Sequence, residues 1–110
     1  MKFASLVLLS VVLLFCVGCG SSQVDTIAKL TANAGAGKVA WTKSCASCHA
    51  SDGTGQSGVA PDLTKTPISD ASFIGVVLNG ESTMPAFKET LSNQNIADLL
   101  AHFRANIQKK

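Results

Sequence analysis

A chain of 110 residues with nine Lys and Arg against seven Asp and Glu has length for one domain, and its charge balance excludes the strongly basic footprint that nucleic-acid binding needs. One Trp, no Tyr and five Phe leave little aromatic volume for a core of its own, so a bound apolar group would complete it.

Met1-Lys2 is a short positive start, and residues 3–18 are apolar except for Ser5 and Ser10. That run is shorter than the roughly 20 residues of a membrane span and suits the apolar region of a signal peptide, so the chain is predicted to be exported. Its end, with Cys16, Val17, Gly18, Cys19 and Gly20, resembles the lipobox of bacterial lipoproteins, with Cys16 at the position where Leu is usual. That resemblance implies removal of residues 1–18 and lipidation of Cys19. Ordinary cleavage near Gly20 and an uncleaved anchor are the alternatives.

Residues 19–33 mix Ser, Gln, Thr and Lys and are predicted as a lipid-anchored tether; the stretch 20–33, fully extended, reaches about 45 Å. Val24, Ile27 and Leu30 offer the competing reading, one helical turn packed on a domain that runs from 34 to 110. Residues 34–50 are predicted as a helix carrying Cys45, Cys48 and His49. At i, i+3 and i+4 these three fall on one helix face, so a haem lying edge-on can form thioethers to both cysteines while His49 ligates its iron. Three other uses of the motif must be weighed. A zinc site wants four ligands, and beyond His49 only His102 remains, a poor tetrahedral set. A redox-active dithiol wants a βαβ setting, whereas these flanks are helical and Gly-rich. The pentapeptide can also be a structural accident. Covalent haem accounts for it best.

With Gly37 eight residues and Trp41 four residues before Cys45, the segment resembles the opening of class I c-type cytochromes. The similarity extends over about residues 34–108 and points to a small bacterial monohaem form. In that family the glycine is where the first and last helices cross, and a glycine permits so close an approach.

Residues 51–58 contain Gly53, Gly55 and Gly58 and are predicted as a loop with positive φ. A phosphate cradle is a poor alternative, since no strand precedes the glycines and no Lys-Ser/Thr follows. Pro61 resembles the family's proline whose carbonyl accepts a hydrogen bond from Nδ1 of the haem-ligating histidine, a bond that fixes the tautomer and raises ligand basicity; a simple turn proline is the alternative. Residues 64–69 are loop. Ser69 or Asp70 is predicted to cap a helix that runs to Leu78 and stops at Asn79-Gly80. Its stripe of Phe73, Ile74, Val77 and Leu78 faces either the core or the macrocycle, and Leu63, Phe73, Ile74 and Val77 are the candidate haem contacts.

Met84 sits in a Gly- and Pro-flanked loop that suits core packing badly. Pro85 holds it extended, which projects the side chain from the loop. The family places its distal ligand in such a Met-Pro, so the resemblance implies Met84 as second axial ligand. Ser92 is predicted to cap the last helix, with a stripe of Ile96, Leu99, Leu100, Phe103 and Ile107. Arg104, Lys109 and Lys110 suit the dipole at its end. His102 stands where the family has an aromatic, and is predicted to pack near Gly37 and Trp41.

The resemblance implies an all-α fold of three to four short helices around one covalently bound haem c. Coordination by His49 and Met84 closes the iron to oxygen and peroxide, which makes the chain a one-electron carrier and not an enzyme. Its partners would be redox proteins docking transiently at the haem edge, with Lys38, Lys43, Lys65 and Lys88 as rim charges. It is expected to be a monomer, without nucleic acid, on the periplasmic side of a bacterial membrane and anchored there at Cys19. A haem enzyme or gas sensor with a displaceable Met84, and a dedicated haem subunit of a membrane complex, are the competing functions.

Overall fold

The computed structural model describes residues 22–108. The predicted signal segment, Cys16, Cys19, Lys109 and Lys110 lie outside the described residues.

Five α-helices form among the described residues: α1 Gln23–Ala28, α2 Ala34–Ser44, α3 Ala46–His49, α4 Asp70–Asn79 and α5 Asn93–His102, which runs on into a π-helical turn, Phe103–Ile107. Two isolated bridges, Gln56 with Ala60 and Glu81 with Met84, are the β-type pairings among those residues. The count exceeds the predicted three to four for two reasons. The helix expected over 34–50 breaks at Cys45, whose φ of −121° is not helical, and a helix forms ahead of residue 34.

That extra helix answers the question left open for residues 24–30. Ser22 and Asp25 make a capping box, each side chain bonding the other's backbone N–H. Six residues cannot sustain a helix by themselves, so the packing of α1 against α4 and α5 decides the matter. Ile27 is 1% exposed, Val24 and Leu30 are partly buried against the core, and Gln23 Nε2 donates to Asn93 Oδ1 at 2.9 Å. Residues from 22 onward are thus attached to the domain.

The caps of α4 and α5 fall where the sequence places them. Ser69 accepts from the Ser72 N–H and Ser92 from that of Asn95, and α4 ends on Gly80 at φ 73°. Ile96, Leu99, Phe103 and Ile107 are buried, while Leu100 is half-exposed at the edge of the stripe. The rings of Phe73 and Phe103 pack at 4.9 Å, joining α4 to the end of α5.

α2 and α5 form the most extensive contact in the fold. At their crossing a Cβ on Gly37 would lie 1.8 Å from the Asp98 carbonyl oxygen and 2.8 Å from His102 Cβ. Only glycine allows the backbones so close. The Asp98 carboxylate is buried there, accepting from the Asn33 N–H at 2.8 Å and from Gln94 Nε2 at 2.9 Å. The entry to α2 is thereby pinned to the middle of α5, and this sets the direction in which α2 delivers Cys45 and His49.

Candidate haem-attachment site

The break at Cys45 does not scatter the motif. Cys45 N–H still donates to the Trp41 carbonyl at 2.9 Å, and the Cys45 carbonyl accepts from Cys48 at 3.2 Å and from His49 at 2.9 Å. One turn therefore carries both thiols and the imidazole. The thiols are free of each other, Cys45 half-buried and Cys48 exposed. Burial pushes the Cys45 thiol up to about 11, so it is neutral at physiological pH. α3 then stops at Ala50, whose φ of 62° turns the chain away. Gly53, Gly55 and Gly58, all near φ +75° to +79°, carry it around the loop as the sequence predicts.

Trp41 braces the motif from behind. Its Nε1 donates to the Ala50 carbonyl at 2.9 Å, and its ring centroid lies 6.0 Å from that of His49 and 5.9 Å from that of His102. His102 is 3% exposed and packs at the Gly37 crossing as predicted, with Nδ1 3.0 Å from Asn106 Nδ2. Burial, with a smaller contribution from the Lys38 charge, holds its pKa below the usual histidine value. No group of three or more His, Cys, Asp or Glu side chains is arranged for a metal ion among the described residues, so the zinc reading of the motif gains no support from the geometry.

His49 is half-buried, and desolvation lowers its pKa. Its Nδ1 is buried with no hydrogen-bond partner. The bond to the Pro61 carbonyl expected from the sequence is therefore not formed here. The Pro61 carbonyl oxygen instead packs on Gly55, 2.4 Å from where a Cβ would stand, and Gly55 N–H donates to the His49 carbonyl at 2.9 Å. Proline and histidine are held in one neighbourhood through Gly55. A hollow of about 470 Å³ borders this loop, lined by Thr54, Gln56, Val59, Pro61 and Asp62 among others.

The remaining candidates divide by burial. Phe73, Ile74 and Val77 belong to the central core, with Ile74 0% exposed; Leu63 and Met84 are half-buried and pack against it. Met84 closes a tight loop in which Glu81 N–H donates to its carbonyl at 3.1 Å and its own N–H to the Glu81 carbonyl at 2.8 Å. Gly80 is required beneath that loop, because a Cβ there would stand 2.4 Å from the Met84 carbonyl oxygen.

Two free thiols one turn apart, with an imidazole beside them that carries a buried unpaired nitrogen, fit the attachment of haem c. Comparison with known proteins agrees. The family described as cytochrome c oxidase, cbb3-type, subunit III, matches residues 32–103, and a cytochrome c6 of Leptolyngbya boryana is 33% identical over 84 residues, covering 71% of this chain and 98% of that protein. The chain belongs to this family of c-type cytochromes. The cytochrome's fold is similar to that of cytochrome cL from Hyphomicrobium denitrificans, with a TM-score of 0.60 and 25% identity over 77% of this chain and 53% of that one. Cytochrome cL from Methylophaga aminisulfidivorans gives 0.58 and 22%, over 66% of this chain and 51% of that one, a likeness of fold alone. The cytochrome thus spans about half the length of the cytochrome cL chains it matches. Membership carries with it covalently bound haem c and electron transfer in place of enzymatic turnover.

Sequence reasoning missed the partners of Arg104. Its place in the sequence suits a cation at a helix end, whereas in the fold its guanidinium reaches Asp70, Ile68 and Gln108. An Asp in the first turn of α4 was the available signal, and nothing local pairs it with a residue 34 positions away.

Proposed function

We propose that this cytochrome is a one-electron carrier working outside the cytoplasm, with haem c attached at Cys45 and Cys48 and with His49 and Met84 as axial ligands. The observation that carries the reading is the single turn that presents both free thiols and His49 together. Haem c, when bound, supplies a one-electron iron couple. His49 and Met84 would be the protein ligands of its iron and would leave no coordination position open to oxygen or peroxide. The thioether of Met84 is a soft ligand and favours the reduced state relative to a second imidazole. Nδ1 of His49, buried without a partner, supports the Pro61 carbonyl as its acceptor in the loaded protein. Leu63, Phe73, Ile74 and Val77 are the apolar side chains assigned to the macrocycle.

Redox partners would dock through a small transient interface at the haem edge, where exposed Lys38, Lys43, Lys65 and Lys88 are available as rim charges. The lipobox-like end of the apolar run 3–18 supports attachment to the membrane through a lipid on Cys19; none of the described helices is long and apolar enough to cross a membrane. Because α1 begins directly after Ser22, such a lipid would hold the domain close to the bilayer surface instead of on a long tether, raising its local concentration near membrane partners. The name of the matching family favours a second reading, a haem subunit of one membrane complex.

The ferric absorption spectrum tests the carrier: the weak red band of methionine-to-iron bonding is expected, and its absence together with rapid cyanide binding would overturn the assignment. Mass spectrometry of the mature N-terminus tests the lipid. Copurification with a fixed partner in stoichiometric amount would select the subunit reading.

A further inference from the structure

The π-helical turn that follows α5 makes contacts its sequence does not announce. Gln108 N–H donates to the Phe103 carbonyl at 2.8 Å, a bond one residue longer than the α-helical pattern. Beyond it three side chains reach a single loop. Arg104 Nη2 donates to the Ile68 carbonyl and to Asp70 Oδ1, both at 2.6 Å, and Nε donates to the same carboxylate oxygen at 2.9 Å. Gln108 accepts from Arg104 Nη1 and donates through Nε2 to the Thr66 carbonyl at 3.0 Å. Ile107 seats on Gly53 so closely that a Cβ there would stand 2.2 Å from Ile107 Cγ2.

These contacts bracket Pro61 from both sides. On one side, Gly53 accepts from the Leu63 N–H at 2.8 Å and Gly55 bonds the His49 carbonyl. On the other, Thr64 bonds the Asp62 carboxylate through its N–H and hydroxyl, and Thr66 Oγ1 donates to the Asp62 carbonyl at 2.8 Å. The loop has no strand or helix of its own from 51 to 69 to fix it. The rigid donor fork of a guanidinium spans the Ile68 carbonyl, the Asp70 carboxylate and the Gln108 amide oxygen at once, a spread that the single point of an ammonium matches less well.

We propose that Arg104 and Gln108 are positioning residues for the His49 side of the haem: the π turn is a clasp that holds the 53–69 loop, and with it the Pro61 carbonyl, against the attachment turn. This rests on the reading of His49 as haem ligand and of the Pro61 carbonyl as the acceptor of its Nδ1–H in the haem-loaded protein, a bond not formed in the structure. A slack clasp weakens the hydrogen bond to Nδ1, makes the imidazole a poorer donor and raises the reduction potential.

The experiment compares the haem-loaded protein with its Arg104→Met, Arg104→Lys and Gln108→Leu variants, by amide hydrogen exchange, by NMR of the His49 Nδ1 proton and by redox titration. The clasp requires at least about tenfold faster exchange at residues 55–66 with α5 amides unchanged, faster exchange of the Nδ1 proton, and a raised potential. Arg104→Lys must fail to restore these. Uniformly faster exchange over the whole chain, or an unchanged potential and Nδ1 proton while the loop loosens, would overturn it. Gln108→Leu keeps the test open where Arg104→Met does not fold. The amide exchange reads the clasp whatever ligates the iron, and the wild-type ferric spectrum tests the ligand whatever the clasp does.

Discussion

Gly37 and Asp98 approach so closely that a Cβ on the first would lie 1.8 Å from the carbonyl oxygen of the second. Backbone meets backbone, so no side chain can rotate to make room. Gly37→Ala should separate α2 from α5 and cost about 3 kcal/mol or more, at the upper end of overpacking penalties. Denaturant unfolding of the loaded protein checks this. A loss under 1 kcal/mol would show that the crossing tolerates a shift.

Ile27 is 1% exposed on a helix of six residues. Ile27→Ala should cost about 2–5 kcal/mol, the range for large-to-small core changes. A tethered, undocked segment would lose nothing measurable. The same unfolding experiment separates the two.

His102 should make the fold acid-sensitive. Burial lowers its pKa from 6.5 in the folded chain, so the unfolded chain binds more protons as pH falls through that value. The group's contribution is intact above about pH 6.5 and is lost below it, by up to about 1.4 kcal/mol per pH unit until the folded pKa is passed. Stability against pH for wild type and His102→Phe measures this. The variant should be flatter between neutral and mildly acid pH, and equal slopes would assign the sensitivity elsewhere.

Met84→Ala should lower the reduction potential and admit cyanide to the ferric protein, because the soft ligand is lost and its position opened. A redox titration with a binding assay tests both. An unchanged potential would remove Met84 from the iron.

Local chemistry was legible wherever it is written in consecutive residues. Ser69 and Ser92 cap their helices through their own neighbours' amides, and the loop glycines take positive φ because no other residue does so cheaply. The packing of His102 at the Gly37 crossing is legible only through the family resemblance. The break at Cys45 was not legible, since no Gly or Pro marks it. Nor was α1, whose short run of apolar residues reads equally as tether or helix until α4 and α5 cover Ile27.

By itself the sequence determined the attachment motif, the caps, the glycine loop and the Met-Pro loop, because each depends on spacings within a few residues. Only the tertiary structure decided that residues 22–33 join the domain and that Arg104 reaches back to Asp70. Each of these depends on burial or pairing between residues distant in the chain. No local preference encodes such a contact until the α2–α5 crossing brings the elements together.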